Sequence, residues 1–198
     1  MGKQHQRKFF HGGVPGLRVG DRILSASRVG IFGHNLIPSN PCDPTRVYVT
    51  TDYDEARSYA AIYKDLRNQT LPGDVYEVRA VGDLLSDPDY RGFDTHYSCD
   101  SARVIRIAMR RVCMSKVQIV RAKSRYLRWE DGSRVYDEDG YLLPSPSLRD
   151  HGYTDDDLRL LGQWRETQYG PHGLSVDTTA EERARLSRVA AERLANNF

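Results

Sequence analysis

The sequence predicts an α+β protein: a compact, mostly-β core with one main helix, followed by a largely helical C-terminal extension. Between Lys8 and Val120, short apolar runs are separated by turn residues at strand-like spacing, and a single helical stretch interrupts them. Past Arg121 that pattern gives way to acidic turns carrying glycine, and then to two stretches with apolar residues at helical spacing. A chain of 198 residues can fill one core and carry an appendage, which divides it into a core over 1–122 and an extension over 123–198.

Lys8 to His11 reads as a first strand ending on Gly12 and Gly13, and Val14-Pro15-Gly16-Leu17 as a turn. Asp21 to Leu24 is a short strand. Ser25 to Thr45 is too broken by glycine and proline for a long element; a loop of that length often forms a binding-site wall. Arg46 to Thr50 alternates Val47 and Val49 against Tyr48 and Thr50, as a half-buried strand does. Asp52, with Glu55 three residues on, is a capping-box-like start for a helix through Leu66, whose Ala56, Tyr59, Ala60, Tyr63 and Leu66 should face the sheet. Leu71-Pro72-Gly73 breaks the chain before a strand over Asp74 to Ala80, and Val104 to Val112 and Lys116 to Val120 complete the core strands. In the extension, Trp129 to Arg134 and Tyr136 to Tyr141 suit tight turns. One helix is expected from Thr154, anchored by Leu158, Leu161 and Trp164. A second starts at Thr178 or Thr179, with a stripe of Leu186, Val189, Ala190 and Leu194. This tail is expected to cover the core or contact a partner rather than to perform chemistry.

Composition narrows the function classes. A hydrophobic share of 39%, a charged share of 28% and a mean hydropathy of -0.63 describe a soluble protein, and no apolar run reaches membrane-spanning length. Met1 to Lys8 is basic but passes into Phe9-Phe10-His11-Gly12-Gly13, which is no secretory signal, so a cytoplasmic protein is expected. Cys42, Cys99 and Cys113 have no metal or redox spacing and read as free thiols, with Cys113 in the core and Cys99 nearer the surface. His5, His34, His96, His151 and His172 form no ligand cluster, so no metal is expected. The net charge of +2 does not announce a nucleic-acid partner. Arg103, Arg106, Arg110, Arg111, Lys116, Arg121, Lys123, Arg125 and Arg128 nevertheless make a basic middle, either a face for a pyrophosphate or acidic acceptor or simply solvated strand faces.

Three phrases close strands or open loops on polar residues: Phe9-Phe10-His11-Gly12-Gly13, Arg46-Val47-Tyr48-Val49-Thr50 and Leu84-Leu85-Ser86-Asp87-Pro88. They supply a histidine, a tyrosine and an acid in that order. Breaking a bond between nicotinamide and ribose leaves a sugar cation, which a placed carboxylate stabilises. The nicotinamide ring needs an aromatic face and its amide needs open backbone, which a tyrosine and a glycine-bearing strand end provide. A neutral histidine can donate to a ribose hydroxyl.

On these residues the chain resembles ADP-ribosyltransferases of the His-Tyr-acid class, and within it the small rifampin ADP-ribosyltransferase-like branch. The matching text is Phe10-His11-Gly12, Leu17 to Leu24, Val47-Tyr48-Val49-Thr50 with Asp54-Glu55-Ala56, Val75 to Val78, Gly82 to Asp89, and Tyr97-Ser98, over about residues 8 to 112. The resemblance implies a core of two packed sheets and NAD as co-substrate, with His11 on a ribose hydroxyl and Gly12 holding the nicotinamide amide through its backbone. It implies Tyr48 stacked on the nicotinamide and Asp87 holding the ribose and favouring the cationic transition state, with Thr50 and Ser98 assisting. Asp83 and Asp89 lie close enough to Asp87 that either is an alternative acid. Gly13 stands where the family has a small hydroxyl residue, the helix after Tyr48 lacks the family's tryptophan, and the extension lies outside the pattern. The acceptor of ADP-ribose, whether protein, nucleic acid, small molecule or water, is therefore not inherited with the resemblance. A toxin, a resistance enzyme or a phage effector would suit such a chain. Alternatives are an NAD glycohydrolase and a non-catalytic nucleic-acid- or protein-binding module on the same scaffold.

Overall fold

In the first half of the chain, strands β1 (Phe9–Gly13), β2 (Arg22–Leu24) and β3 (Val47–Thr50) precede helix α1 (Tyr53–Ala61). Strands β4 (Asp74–Val81) and β5 (Leu85–Ser86), a 3-10 turn (Pro88–Tyr90), β6 (His96–Cys99) and β7 (Ser101–Met109) follow. The computed structural model describes residues 7–30, 43–65, 67–90, 92–170 and 173–196, in two compact units, Met1–Ser115 and Lys116–Phe198. Among the described residues of the first unit, seven strands pair antiparallel in one sheet of order β2-β7-β4-β1-β3-β6-β5.

That sheet is one hydrogen-bonded surface, not the two packed sheets that the resemblance implies, and the chain forces it to curl. Strands β6 and β7 stand apart in the order, with β3, β1 and β4 between them, yet only Asp100 connects them. In a flat sheet they would lie roughly 19 Å apart at the usual strand spacing. The two steps from Cys99 to Ser101 span at most about 7 Å. The two wings therefore fold toward each other, and the residues between them form the core: Val47, Val49, Tyr97 and Cys99 from one wing with Ile23, Val78, Ala102 and Val104 from the other. Phe9 on β1 meets Tyr97 on β6 edge-on, with ring centroids 5.5 Å apart. Tyr76 is fully buried in the same cluster, where burial pushes its phenol up to about 12. Cys99 faces this core and is buried, whereas Cys113 lies past the end of β7 and is exposed. Their expected environments are thus exchanged, because strand alternation, not the polarity of neighbours, sets which way Cys99 points. Cys42 lies outside the described residues.

Helix α1 packs on the other face of the sheet. Asp52 caps it, its side chain accepting from the amides of Asp54 and Glu55. Ala56 and Ala60 are buried with Val75 and Val112, while Tyr59 is partly exposed. Glu55 does not reach back to close a capping box; its side chain is fully buried, and the Asp52 amide donates instead to Thr50 Oγ1 at 3.0 Å. The helix stops at Ala61, short of the expected end at Leu66, because the Gly73 amide, leading into β4, donates to the Ala60 carbonyl at 2.9 Å. Leu66 itself lies outside the described residues.

The second unit holds α2 (Lys116–Ser124), α3 (Pro146–Asp150), α4 (Asp155–Leu158) with a 3-10 turn (Arg159–Leu161), a hairpin of β8 (Thr167–Gly170) and β9 (Gly173–Val176), and α5 (Ala180–Asn196). Lys116 to Val120, expected as a strand from its alternation, opens a helix. So short an apolar run suits either element, and here Val120 and Ala122 are buried while Val117 is exposed. Val120 packs with Trp129, Val135, Tyr136, Leu142, Leu158 and Leu161. The expected turns form where bridges Arg128↔Arg134 and Tyr136↔Leu142 close, with Gly132 and Gly140 at φ 82° and 90°. Thr154 starts α4 with a capping box to Asp157, and Thr179 starts α5 with one to Glu182. Among the described residues no helix is long and apolar enough to cross a membrane.

Candidate functional site

Strand β1 is the middle strand of the sheet, where full burial is the rule, yet every residue from Phe9 to Gly13 keeps partial access to solvent. It pairs with β4 along its whole length but registers with β3 at Phe10↔Thr50 alone among the described residues. The ladder therefore opens toward Gly12 and Tyr48. Where the next bonds would form, the His11 ring turns in, with Nδ1 2.9 Å from the Tyr48 carbonyl.

That contact settles the ring's chemistry. A carbonyl only accepts, so Nδ1 carries the proton and donates, and in the neutral ring Nε2 is then an acceptor. Burial lowers the His11 pKa, against a smaller opposing effect of the bond to Tyr48, and so favours that neutral form. The sense expected from sequence is reversed: Nε2 is suited to accept from a hydroxyl, not to donate to one.

The two glycines differ in what they permit. A Cβ on Gly12 would lie 1.8 Å from the Ala56 carbonyl oxygen and 3.0 Å from the Ala60 nitrogen, so glycine here lets α1 lie directly on β1. A Cβ on Gly13 would meet His11 Nε2 at 3.0 Å. The alternation of side chains thus places His11 and Gly13 on one face of β1, and Phe10 and Gly12 on the α1 face.

Registered pairs extend the α1 face, not the face that carries His11: Phe10 lies opposite Thr50 and Thr50 opposite His96, and Tyr48 lies opposite Ser98, which in turn lies opposite Leu85. The Tyr48 ring is half-buried, and its hydroxyl accepts from the Asp43 amide at 2.6 Å. Thr50 and Ser98 are buried. Thr50 Oγ1 helps shape the start of α1, and Ser98 Oγ accepts from Arg46 Nε at 3.4 Å. Arg46 also donates to the carbonyls of Ser98 and Asp83, and pairs with Asp100 at 2.5 Å. The loop expected as a site wall over 25–45 falls partly outside the described residues, at 31–42.

Of the three neighbouring acids, Asp87 is 7% exposed while Asp83 and Asp89 are exposed. The Asp87 amide donates to the His96 carbonyl at 3.0 Å, continuing the β5–β6 pairing, and its Oδ1 accepts from the Asp89 amide at 3.0 Å. Burial raises its pKa first; the bond from Asp89 and the charge of His96 oppose this, and the charges of Asp89 and Glu55 reinforce it.

Sequence reasoning missed what surrounds this acid. Glu55 bonds His96 Nε2 through Oε2 and accepts from the Tyr90 hydroxyl through Oε1 at 2.9 Å. Tyr90 stacks on the His96 ring with centroids 3.6 Å apart and planes 8° from parallel, and its hydroxyl lies 2.5 Å from that of Tyr59. The available signal was Glu55 itself, a charged residue at the helix position next to Ala56; only its burial gives that signal meaning. Among the described residues no group of histidine, cysteine and acidic side chains is arranged to hold a metal ion. In the basic middle, Arg106 pairs with Glu77 and Arg110 with Asp74, so part of that charge is spent within the first unit.

No family model matches the chain, and no curated protein is significantly similar to it.

Proposed function

We propose that this protein is an ADP-ribosyltransferase that cleaves the nicotinamide–ribose bond of NAD and transfers ADP-ribose to an acceptor. The observation that carries the reading is the opened middle strand: a partly buried β1 bearing Gly12 and Gly13, parted from β3 beside Tyr48, on the sheet wing that ends in the buried acid Asp87. In this reading the backbone at Gly12 bonds the nicotinamide amide and the Tyr48 ring covers its face. His11 Nε2 accepts from a ribose hydroxyl. Asp87, ionised, faces the charge that develops on the ribose as nicotinamide leaves.

The test is nicotinamide release from NAD by the full chain, with Asp87→Asn and Tyr48→Ala beside it. Release by the wild type and its loss in Asp87→Asn support the reading; a wild type that neither binds nor cleaves NAD overturns it and leaves a binding module. Rapid release with NAD alone would make water the acceptor. Mass spectrometry of cell extract treated with the protein and labelled NAD identifies any other acceptor.

A further inference from the structure

We infer that Glu55, His96 and Tyr90 are the positioning residues for Asp87, a clamp that ties the turn carrying this acid to helix α1 and strand β6. The inference rests on the proposed ADP-ribosyltransferase reading and deepens it.

The turn from Asp87 to Tyr90 is fastened at both ends. At its start the Asp87 amide bonds the His96 carbonyl, and at its close the Tyr90 amide bonds the Asp87 carbonyl at 3.1 Å. Tyr90 then lies flat on the same His96 side chain and reaches past it to Glu55. His96 is held from its other nitrogen, with Nδ1 2.8 Å from Thr95 Oγ1. One residue of β6 thus receives the acid's backbone on its carbonyl and the far end of the acid's turn on its ring.

Burying a carboxylate and an imidazole together is costly unless both are bonded, and an apolar pair would fill the same space at lower cost. Glu55 is 0% exposed and His96 is 4% exposed, and the sheet and helix are already packed around them by Ala56, Ala60 and Val75. Packing alone does not call for this cluster. A fixed carboxylate beside a developing cation does, because misplacement by about 1 Å costs on the order of a hundredfold in rate. The titratable groups around Asp87 are Asp89 and Tyr90 from its own turn, His96 from β6, and Glu55 and Tyr59 from α1. The charge of His96 favours ionised Asp87, so the clamp also bears on the acid's charge.

The experiment measures nicotinamide release from NAD against pH for the wild-type chain, Asp87→Asn, Tyr90→Phe and His96→Gln. Tyr90→Phe keeps the stacked ring and loses only the hydroxyl bonds. It should lower kcat by about tenfold or more while KM for NAD stays within about twofold. His96→Gln should move the acid limb of the rate profile to higher pH, which a purely structural role would not do. If Asp87→Asn is inactive but Tyr90→Phe and His96→Gln keep the wild-type kcat and acid limb, the clamp is refuted and the NAD reading stands. If His96→Gln does not fold, Tyr90→Phe, which changes neither charge nor shape, decides by its split between kcat and KM. A wild-type chain that releases no nicotinamide overturns the reading and the inference together.

Discussion

Replacing Gly12 by alanine tests why glycine stands in the middle of the sheet. The added Cβ would lie 1.8 Å from the Ala56 carbonyl oxygen, 2.8 Å from its carbon and 3.0 Å from the Ala60 nitrogen. Ordinary contact needs nearly twice the first of these distances, so α1 must retreat by about 1.5 Å. All of these atoms are helix backbone, so no side chain can rotate away. Overpacking of this kind costs about 1–3 kcal/mol, and a rigid obstacle puts Gly12→Ala near 3 kcal/mol, a fall of roughly 10 °C in Tm. Gly13→Ala is the control. Its Cβ meets only the tip of the His11 ring at 3.0 Å, and it should cost under about 1 kcal/mol. Urea unfolding followed by circular dichroism measures both. If Gly12→Ala lies within about 0.5 kcal/mol of wild type, or Gly13→Ala costs as much, close helix packing is not what glycine serves here. Had Gly12 only a backbone role toward NAD, its alanine variant would keep full stability and change only the KM for NAD.

Further predictions concern charge and thiols. Asp87→Asn should abolish nicotinamide release. Because burial raises the native Asp87 pKa, the ionised form costs stability as pH rises through the interval from its unfolded to its native value. The stability of the Asn variant relative to wild type should therefore increase from acid to neutral pH, and a flat difference in urea midpoints would refute this. In the second unit Arg193 grips Asp157 through two bonds of 2.6 Å and, with the Thr154 cap, lowers its pKa from 3.8 to about 2 despite burial. That shift is worth about 2 kcal/mol at most, since Arg193 is itself 36% exposed. The stabilisation is complete above the unfolded pKa and is lost as pH falls toward 2. Arg193→Gln should thus be less stable at neutral pH and approach wild type in acid, and a loss that persists unchanged in acid would contradict the ion pair. In Cys42→Ser protein, iodoacetamide should modify Cys113 rapidly and Cys99 only on unfolding, read by peptide mass; prompt modification of Cys99 would refute its place in the core.

The α+β class, the helix capped by Asp52, the helix starts at Thr154 and Thr179 and most strands of the first unit are legible in the sequence. They rest on local chemistry: a cap needs only its own few residues, and a half-buried strand shows its period in any window. The order His11, Tyr48, Asp87 is legible for the same reason. Four features are decided by tertiary structure alone. Asp100 leaves so little chain between two wing strands that the sheet must curl, a constraint visible only when pairing is known. Gly12 is set by a helix that approaches it from forty residues on, and the His11 tautomer by a carbonyl on another strand. Glu55 has the look of a solvated capping residue until α1 lies on the sheet and brings it to His96 and Tyr90. Sequence by itself determines the caps, most strands of the first unit and the order of their polar residues, whereas a short apolar run such as Lys116 to Val120 leaves strand or helix to packing. Burial, and with it the charge and partners of Asp87, arises from contacts between distant segments, which a local pattern does not encode.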